Sequence, residues 1–205
     1  PMGTWHSEGA ISQAIETIPD GCVLLFDEAY VELAPEGTAP PLDVENDRVI
    51  RMRTFSKAHG LAGMRVGYAI GQSDLIRAFN KVRNHFGMSR VSQQAALASL
   101  ADQAHLQKTI ARVVAARERI AGIARANGLA PIPSATNFVT IDCGRDGDFA
   151  RALLQELIAR DVFVRMPFVA PQDRCIRISC APEPELAIFE QALPEALAAL
   201  RQAAP

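Results

Sequence analysis

Lys57 is the side chain with the most chemistry in reach. It lies in Arg53-Thr-Phe-Ser-Lys-Ala-His-Gly-Leu-Ala-Gly-Met-Arg-Val-Gly-Tyr68, among hydroxyls and glycines, with an arginine at position 65. An amine that is partly desolvated, or close to other cations, gives up its proton more readily and becomes a nucleophile towards carbonyls. Thr54 and Ser56 offer hydroxyl donors, Gly60 and Gly63 permit close backbone approach, and Arg65 can fork onto a phosphate. The group suits a phosphorylated aldehyde.

Lysine, aldehyde and phosphate together point to pyridoxal phosphate. A lone loop lysine is more often a solvated one, so the argument needs a second site, and Asp27-Glu28-Ala29-Tyr30 supplies it. A carboxylate with a phenol one turn further on converges on one small planar ligand. In pyridoxal chemistry a carboxylate keeps the ring nitrogen protonated, so that the ring can absorb electrons. The same residues have a rival: Val-Leu-Leu-Phe-Asp-Glu is also how a nucleoside triphosphatase presents a magnesium-binding Asp27 and a catalytic Glu28. That reading requires G-x-x-x-x-G-K-[ST], which the 205 residues lack, and it leaves Lys57 to Arg65 without a role. A structural reading gives Asp27 a turn-capping job and Tyr30 a half-buried one.

The elements that must position these groups follow from local pattern. Pro1 and Gly3 read as a turn, and Ser7 caps a helix over Glu8 to Ile18. Cys22 to Phe26 is a continuous apolar run, as expected of a strand buried on both faces, with Asp27 at the carboxyl end where open α/β sheets place ligands. Residues 34 to 46 read as a surface loop, Val49 to Arg53 and Val66 to Ile70 as strands flanking the lysine loop, and Asp74 to Asn84 as a helix. Ser92 to Asn127 reads as two helices broken near Ala101 to His105, ended by Gly128. Arg112, Arg117, Glu118 and Arg119 read as its solvated face. Next come a strand (Asn137 to Cys143), a helix (Asp148 to Arg160), short strands (Val162 to Arg165, Arg174 to Cys180) and a helix over Glu183 to Gln202 that Pro194 breaks or kinks. The expected fold class is α/β: part of a large domain with a mostly parallel sheet (1–91), connecting helices (92–127) and a small α+β domain (128–205).

Composition excludes several classes. A net charge of −2 gives no electrostatic reason to expect nucleic acid or an anionic membrane. No apolar run approaches the roughly 18 residues of a membrane span, and no signal segment opens the chain. Cys22, Cys143, Cys175 and Cys180 contain no C-x-x-C pair and read as buried free thiols, which implies a reducing, cytoplasmic setting. His6, His59, His85 and His105 show no metal-ligand spacing, so no metal is expected.

Taken jointly, Asp27-Glu28-Ala29-Tyr30, Thr54-Phe-Ser-Lys57 with Gly-Leu-Ala-Gly-Met-Arg65-Val-Gly-Tyr, Ser134-Ala-Thr-Asn-Phe138 and Cys175-Ile-Arg-Ile-Ser179 give the chain its resemblance to the fold-type I pyridoxal-phosphate aminotransferases, most closely the histidinol-phosphate aminotransferase group. The resemblance implies that Lys57 is the Schiff-base lysine and general base, Asp27 the pyridinium partner and Tyr30 the phenol on the ring oxygen. Thr54, Ser56 and Arg65 would hold the cofactor phosphate. Arg177 resembles the arginine that receives the amino donor's carboxylate, and Arg165 a second substrate arginine for an anionic tail, though a surface ion pair is as good a reading. Asn137 falls near the substrate arginine, or serves only to start a strand.

The implied reaction is transamination between the glutamate/2-oxoglutarate pair and histidinol phosphate, in a cytoplasmic homodimer that takes small-molecule substrates. Aromatic amino acids are the alternative substrates, and decarboxylation on the same scaffold the alternative reaction. The family usually opens this region with Asn-Pro-Thr-Gly, where this chain begins Pro1-Met2-Gly3, and the glycine loop and stacking aromatic upstream in such enzymes are not in it. The chain therefore resembles the carboxyl-terminal part of such an enzyme. Cys180-Ala-Pro182 stands where the family often has a Val-Gly-Thr-like run, and Met166 where an acidic residue is common; both departures bear on the substrate.

Overall fold

The computed structural model describes residues 2–202; Pro1, half of the turn expected at the start, lies outside them. Two compact units divide the chain, one of Trp5–Ile110 and one of Pro1–Thr4 with Ala111–Pro205.

In the first unit, helix α1 (Glu8–Glu16) is capped by Ser7, whose hydroxyl accepts the Ala10 N–H. Strands β1 (Leu24–Asp27), β2 (Val49–Thr54) and β3 (Gly67–Gly71) form one sheet in that order. β1 runs parallel to β2, with Asp27 beside Met52, and β3 returns antiparallel on the other side of β2, with Gly67 beside Thr54. Gly67 has to be glycine: a Cβ there would stand 2.7 Å from the Arg53 carbonyl oxygen. β1 is shorter than the apolar run and is not buried on both faces. Leu25 is 64% exposed, because its side of the strand meets no other element of the described residues.

Helix α2 (Ser73–Ala78) ends well before Asn84, passing into a tight turn over Phe79–Lys81. It buries no residue, so nothing rewards further helix growth, and Asn84 turns its side chain onto the Phe86 N–H. The two alanine-rich helices are α3 (Arg90–Ala101), capped by Ser89, and α4 (Gln103–Ala126), with Asp102 between them. The division between the units falls within α4. Gly128, at φ +74, lets Leu129 return its N–H to the Ala124 carbonyl.

The second unit has a three-stranded antiparallel sheet, β4 (Ala130–Ile132), β5 (Phe138–Asp142) and β6 (Cys175–Ser179), backed by α5 (Gly147–Ile158) and α6 (Glu183–Gln202). Its core joins Ile120, Ile141, Leu153, Leu157, Ile176 and Leu193, each fully buried. Three expectations change here. Val162 to Arg165 is no strand: left-handed Asp161 before it and Pro167 after it leave room for a single bridge, Arg165 to Arg177. Pro194 does not interrupt α6; its ring is on the exposed side, while Leu193, Ala196 and Leu197 keep their buried face. Arg117 and Arg119 are half-buried rather than solvated. Arg119 pairs with Glu183 and Glu190 on α6, and burial pulls the Arg117 guanidinium below its ordinary value.

All four cysteines are free, but Cys22 is exposed, because it lies in the turn before β1 and not in a covered strand. Cys143 and Cys175 are buried, and burial pushes the Cys143 thiol up to about 12 and the Cys180 thiol up to about 11. Among the described residues no helix is long and apolar enough to cross a membrane.

Candidate active site

Parallel β1 and β2 end side by side, and the first unit gathers its reactive side chains after those ends. Asp27 closes β1 and Thr54 closes β2, two residues beyond the Met52 that Asp27 faces. This is the edge where the backbone of adjacent parallel strands opens to a ligand. Past Thr54 the chain makes a loop tied at its base. Phe55 gives its N–H to the Val66 carbonyl at 3.2 Å and takes the Leu61 N–H at 2.8 Å. Inside the loop, Lys57 begins a tight turn whose carbonyl accepts the N–H of Gly60, at φ +69. Phe55, Ala58 and His59 are buried and hold Lys57, itself half-exposed, at the surface of a packed base.

The charges divide into two sets. Glu28 is fully consumed: its buried carboxylate pairs with Arg51 on one oxygen and with Arg53 Nε, at 2.9 Å, on the other. Arg51 also reaches the carbonyls of Pro40 (2.8 Å) and Pro41 (3.1 Å), which ties the surface loop to the sheet. For Arg53, burial opposes the charge, but hydrogen bonds to Glu28 and Tyr68 outweigh it and hold the guanidinium above its ordinary value. A glutamate wedged between two guanidinium groups has no free oxygen with which to activate a water, so the nucleoside-triphosphatase reading of Asp27-Glu28 loses its base.

Asp27, Lys57 and Arg65 form the other set, and among the described residues none of them has an ion-pair partner. Asp27 Oδ1 accepts the Ala29 N–H at 2.9 Å, which orients the carboxylate. The Lys57 amine stands 5.1 Å from the centre of the Tyr30 ring. Thr54 Oγ1 accepts the Ser56 N–H at 3.0 Å and sets the start of the loop. Arg65 occupies the left-handed region, at φ 51 and ψ 48, which few side-chain-bearing residues adopt. Its guanidinium donates to the Ala62 carbonyl at 2.8 Å and remains exposed. A Cβ added at Gly60 or Gly63 would meet nothing within 4 Å among the described residues.

The remaining sequence candidates lie in the second unit. Arg165 and Arg177 face each other across a bridge, exchanging both backbone hydrogen bonds, so their side chains leave the sheet on the same side. Like charges placed directly opposite cost stability, and such a pair is well placed for an anion. Arg177 lies over the Phe138 ring at 3.8 Å, and its other cross-strand neighbour is the fully buried Thr140. Thr140 Oγ1 donates to the Met2 carbonyl at 2.8 Å, and Gly3, at φ +90, sits so close that a Cβ would come within 2.8 Å of Ser134 Oγ. Asn137 precedes β5, where its carbonyl takes the Cys180 N–H at 2.8 Å. Sequence reasoning missed the Glu28–Arg51–Arg53 cluster. Its signal was there, arginines at alternate positions of β2 with an acid at the end of β1, but it needs the register to be known.

The family model described as aminotransferase class I and II matches residues 1–193. Over 168 residues the chain is 38% identical to the histidinol-phosphate aminotransferase of Bacillus subtilis (strain 168), covering 80% of this chain and 46% of that protein. It is 40% identical over 149 residues to the aromatic amino acid aminotransferase of Nocardia farcinica (strain IFM 10152), covering 70% of this chain and 42% of that protein. The crystal structure of the histidinol-phosphate aminotransferase of Sinorhizobium meliloti in complex with pyridoxal-5'-phosphate superposes with a TM-score of 0.94 at 47% identity, covering 98% of this chain and 55% of that one. The chain thus spans about half the length of the relatives it matches.

Proposed function

The chain belongs to the class I and II aminotransferases, and from that premise we propose that it carries the lysine-bearing part of a pyridoxal-phosphate-dependent histidinol-phosphate aminotransferase. The observation that carries the reading is the Lys57 amine over the Tyr30 ring, with no counter-ion among the described residues. The donor set fits the cofactor: an amine for its aldehyde, an unpaired carboxylate on Asp27 for its ring nitrogen, the Tyr30 phenol for its ring oxygen, and Thr54, Ser56 and Arg65 for its phosphate. Bound there, pyridoxal phosphate supplies an electron-accepting ring that lowers the barrier to losing the α-proton of an amino acid.

Lys57 would hold the cofactor's aldehyde and would serve as the general base for the α-proton of the amino acid. Asp27 would pair with the protonated ring nitrogen. Arg177 receives the donor carboxylate as a bidentate pair, and Arg165 beside it takes the anionic tail of a phosphorylated substrate, with Asn137 at the edge. The Bacillus and Sinorhizobium relatives support histidinol phosphate with the glutamate/2-oxoglutarate pair. The Nocardia relative favours aromatic amino acids as a second reading. A homodimer and a cytoplasmic setting belong to the same proposal; the latter is supported by four free thiols.

The test is borohydride reduction after adding pyridoxal phosphate to the longest natural polypeptide that contains this chain, followed by peptide mapping. The chain has only three lysines, so Lys81 and Lys108 serve as internal controls. A stable adduct on Lys57, lost in Lys57→Ala together with turnover, is expected. Turnover retained in Lys57→Ala would sink the assignment.

A further inference from the structure

We propose that α3 is a splint for the lysine loop, with Ser92 and Ser99 as positioning residues that set the separation between the Lys57 amine and the Arg65 guanidinium. Ser92, Ala96 and Ser99 stand at i, i+4 and i+7, hence on one face of the helix. Each touches a different point of the loop. Ser92 Oγ donates to the Met64 carbonyl at 2.6 Å, the peptide group immediately before left-handed Arg65. Ala96 packs with Phe55 and Val66, the pair that closes the loop at its base. Ser99 Oγ lies 2.8 Å from Nδ1 of His59, two residues after Lys57, and the His59 ring sits tilted against Phe55 with centroids 4.8 Å apart.

The residue types argue against mere packing. α3 is rich in alanine, the best helix former, and alanine would fill an inward position without a polar group to satisfy. The two serines turned towards the loop instead spend their hydroxyls on it. Because Ser92 Oγ donates to Met64, it must accept in its 2.8 Å contact with Ser89 Oγ, so the N-cap of the helix is locked into the same chain of hydrogen bonds. One rigid helix thereby holds both ends of the stretch from Lys57 to Arg65. That matters for a ligand gripped at two points, an aldehyde at one end and a phosphate at the other; this much rests on the cofactor reading proposed above.

The two serines make separable predictions. Ser92→Ala loosens the Arg65 end, so affinity for pyridoxal phosphate is expected to fall roughly five- to tenfold, with affinity for phosphate-free pyridoxal nearly unchanged. Ser99→Ala loosens the Lys57 end, so both aldehydes are expected to lose affinity by a similar factor. Loading is read from the visible band and from the borohydride-fixed adduct on Lys57. Ser92→Thr and Ser99→Thr keep the hydroxyl and are expected to restore binding; folded alanine variants that load like the wild type, or threonine variants that restore nothing, overturn the proposal. In the unloaded wild type, amide exchange of residues 57–65 should rise together with that of α3 as denaturant is added. Independent opening of loop and helix overturns the splint even where a variant fails to fold. A wild type that takes up neither aldehyde on Lys57 refutes the cofactor reading, and the exchange experiment alone then judges the splint.

Discussion

Glu28→Gln is a substitution for which the structure predicts a large loss of stability. The Glu28 side chain is 1% exposed, and its two oxygens hold Arg51, 7% exposed, and Arg53, 21% exposed. Glutamine keeps the shape but removes the charge, leaving two guanidinium groups with no anion between them, and it offers an amide N–H where an acceptor is needed. Breaking a buried pair from one side costs about 3–5 kcal/mol, because the stranded charge stays desolvated. Two features move the expectation to the lower end of that range. Arg51 retains the Pro40 and Pro41 carbonyls, and Arg53 is exposed enough to gain water. The expected loss is therefore about 3 kcal/mol, a large part of the roughly 5–15 kcal/mol that holds a domain together.

Urea denaturation followed by circular dichroism measures this directly. The double variant Glu28→Gln/Arg51→Met should recover part of the loss, because the most deeply buried of the stranded charges is then gone. A loss below about 1 kcal/mol would mean that the pair is worth no more than a surface ion pair, and the division into spent and unspent charges would fail. The triphosphatase reading predicts the opposite pattern, with intact stability and lost hydrolysis.

Other substitutions probe other parts of the structure. Arg177→Ala should raise the KM for the carboxylate donor about tenfold or more, as expected for losing charge-assisted hydrogen bonds; steady-state kinetics with varied glutamate checks it. Gly67→Ala would put a Cβ 2.7 Å from the Arg53 carbonyl and, by forcing β3 off β2, should cost about 1–3 kcal/mol in a denaturation curve. Pro194→Ala should stabilise α6 by about 1–3 kcal/mol, since it restores a missing N–H within a helix, and thermal melting reads it. Burial holds the Cys143 thiol at about 12 in the folded chain, against 9.0 ordinarily. Its contribution is thus fully present below pH 9 and is lost as the pH climbs from there towards 12. Between pH 8 and pH 10 the wild type should lose roughly 1 kcal/mol more than Cys143→Ala, as measured by denaturation at both pH values.

Local chemistry is what could be read without the fold. Ser7 and Gly128 mark helix ends because caps act over three or four residues, and Lys57, Arg65, Asp27 and Tyr30 stand out because an amine, a guanidinium, a carboxylate and a phenol are functional groups fixed by residue type. Tertiary structure decided which charges remain available. Nothing in the order Asp27-Glu28 says that the first carboxylate is unpaired and the second is spent on Arg51 and Arg53; that follows from the parallel register of β1 on β2. Burial was also beyond local pattern. The apolar run around Leu25 looks the same whether or not its outer face is covered, and Arg119 looks solvated until α6 brings Glu183 and Glu190 to it. Ser92 and Ser99 are ordinary helix residues in the sequence. They acquire a role only because a helix places them seven apart on one face and the fold lays that face along the lysine loop, a long-range pairing that no local propensity encodes.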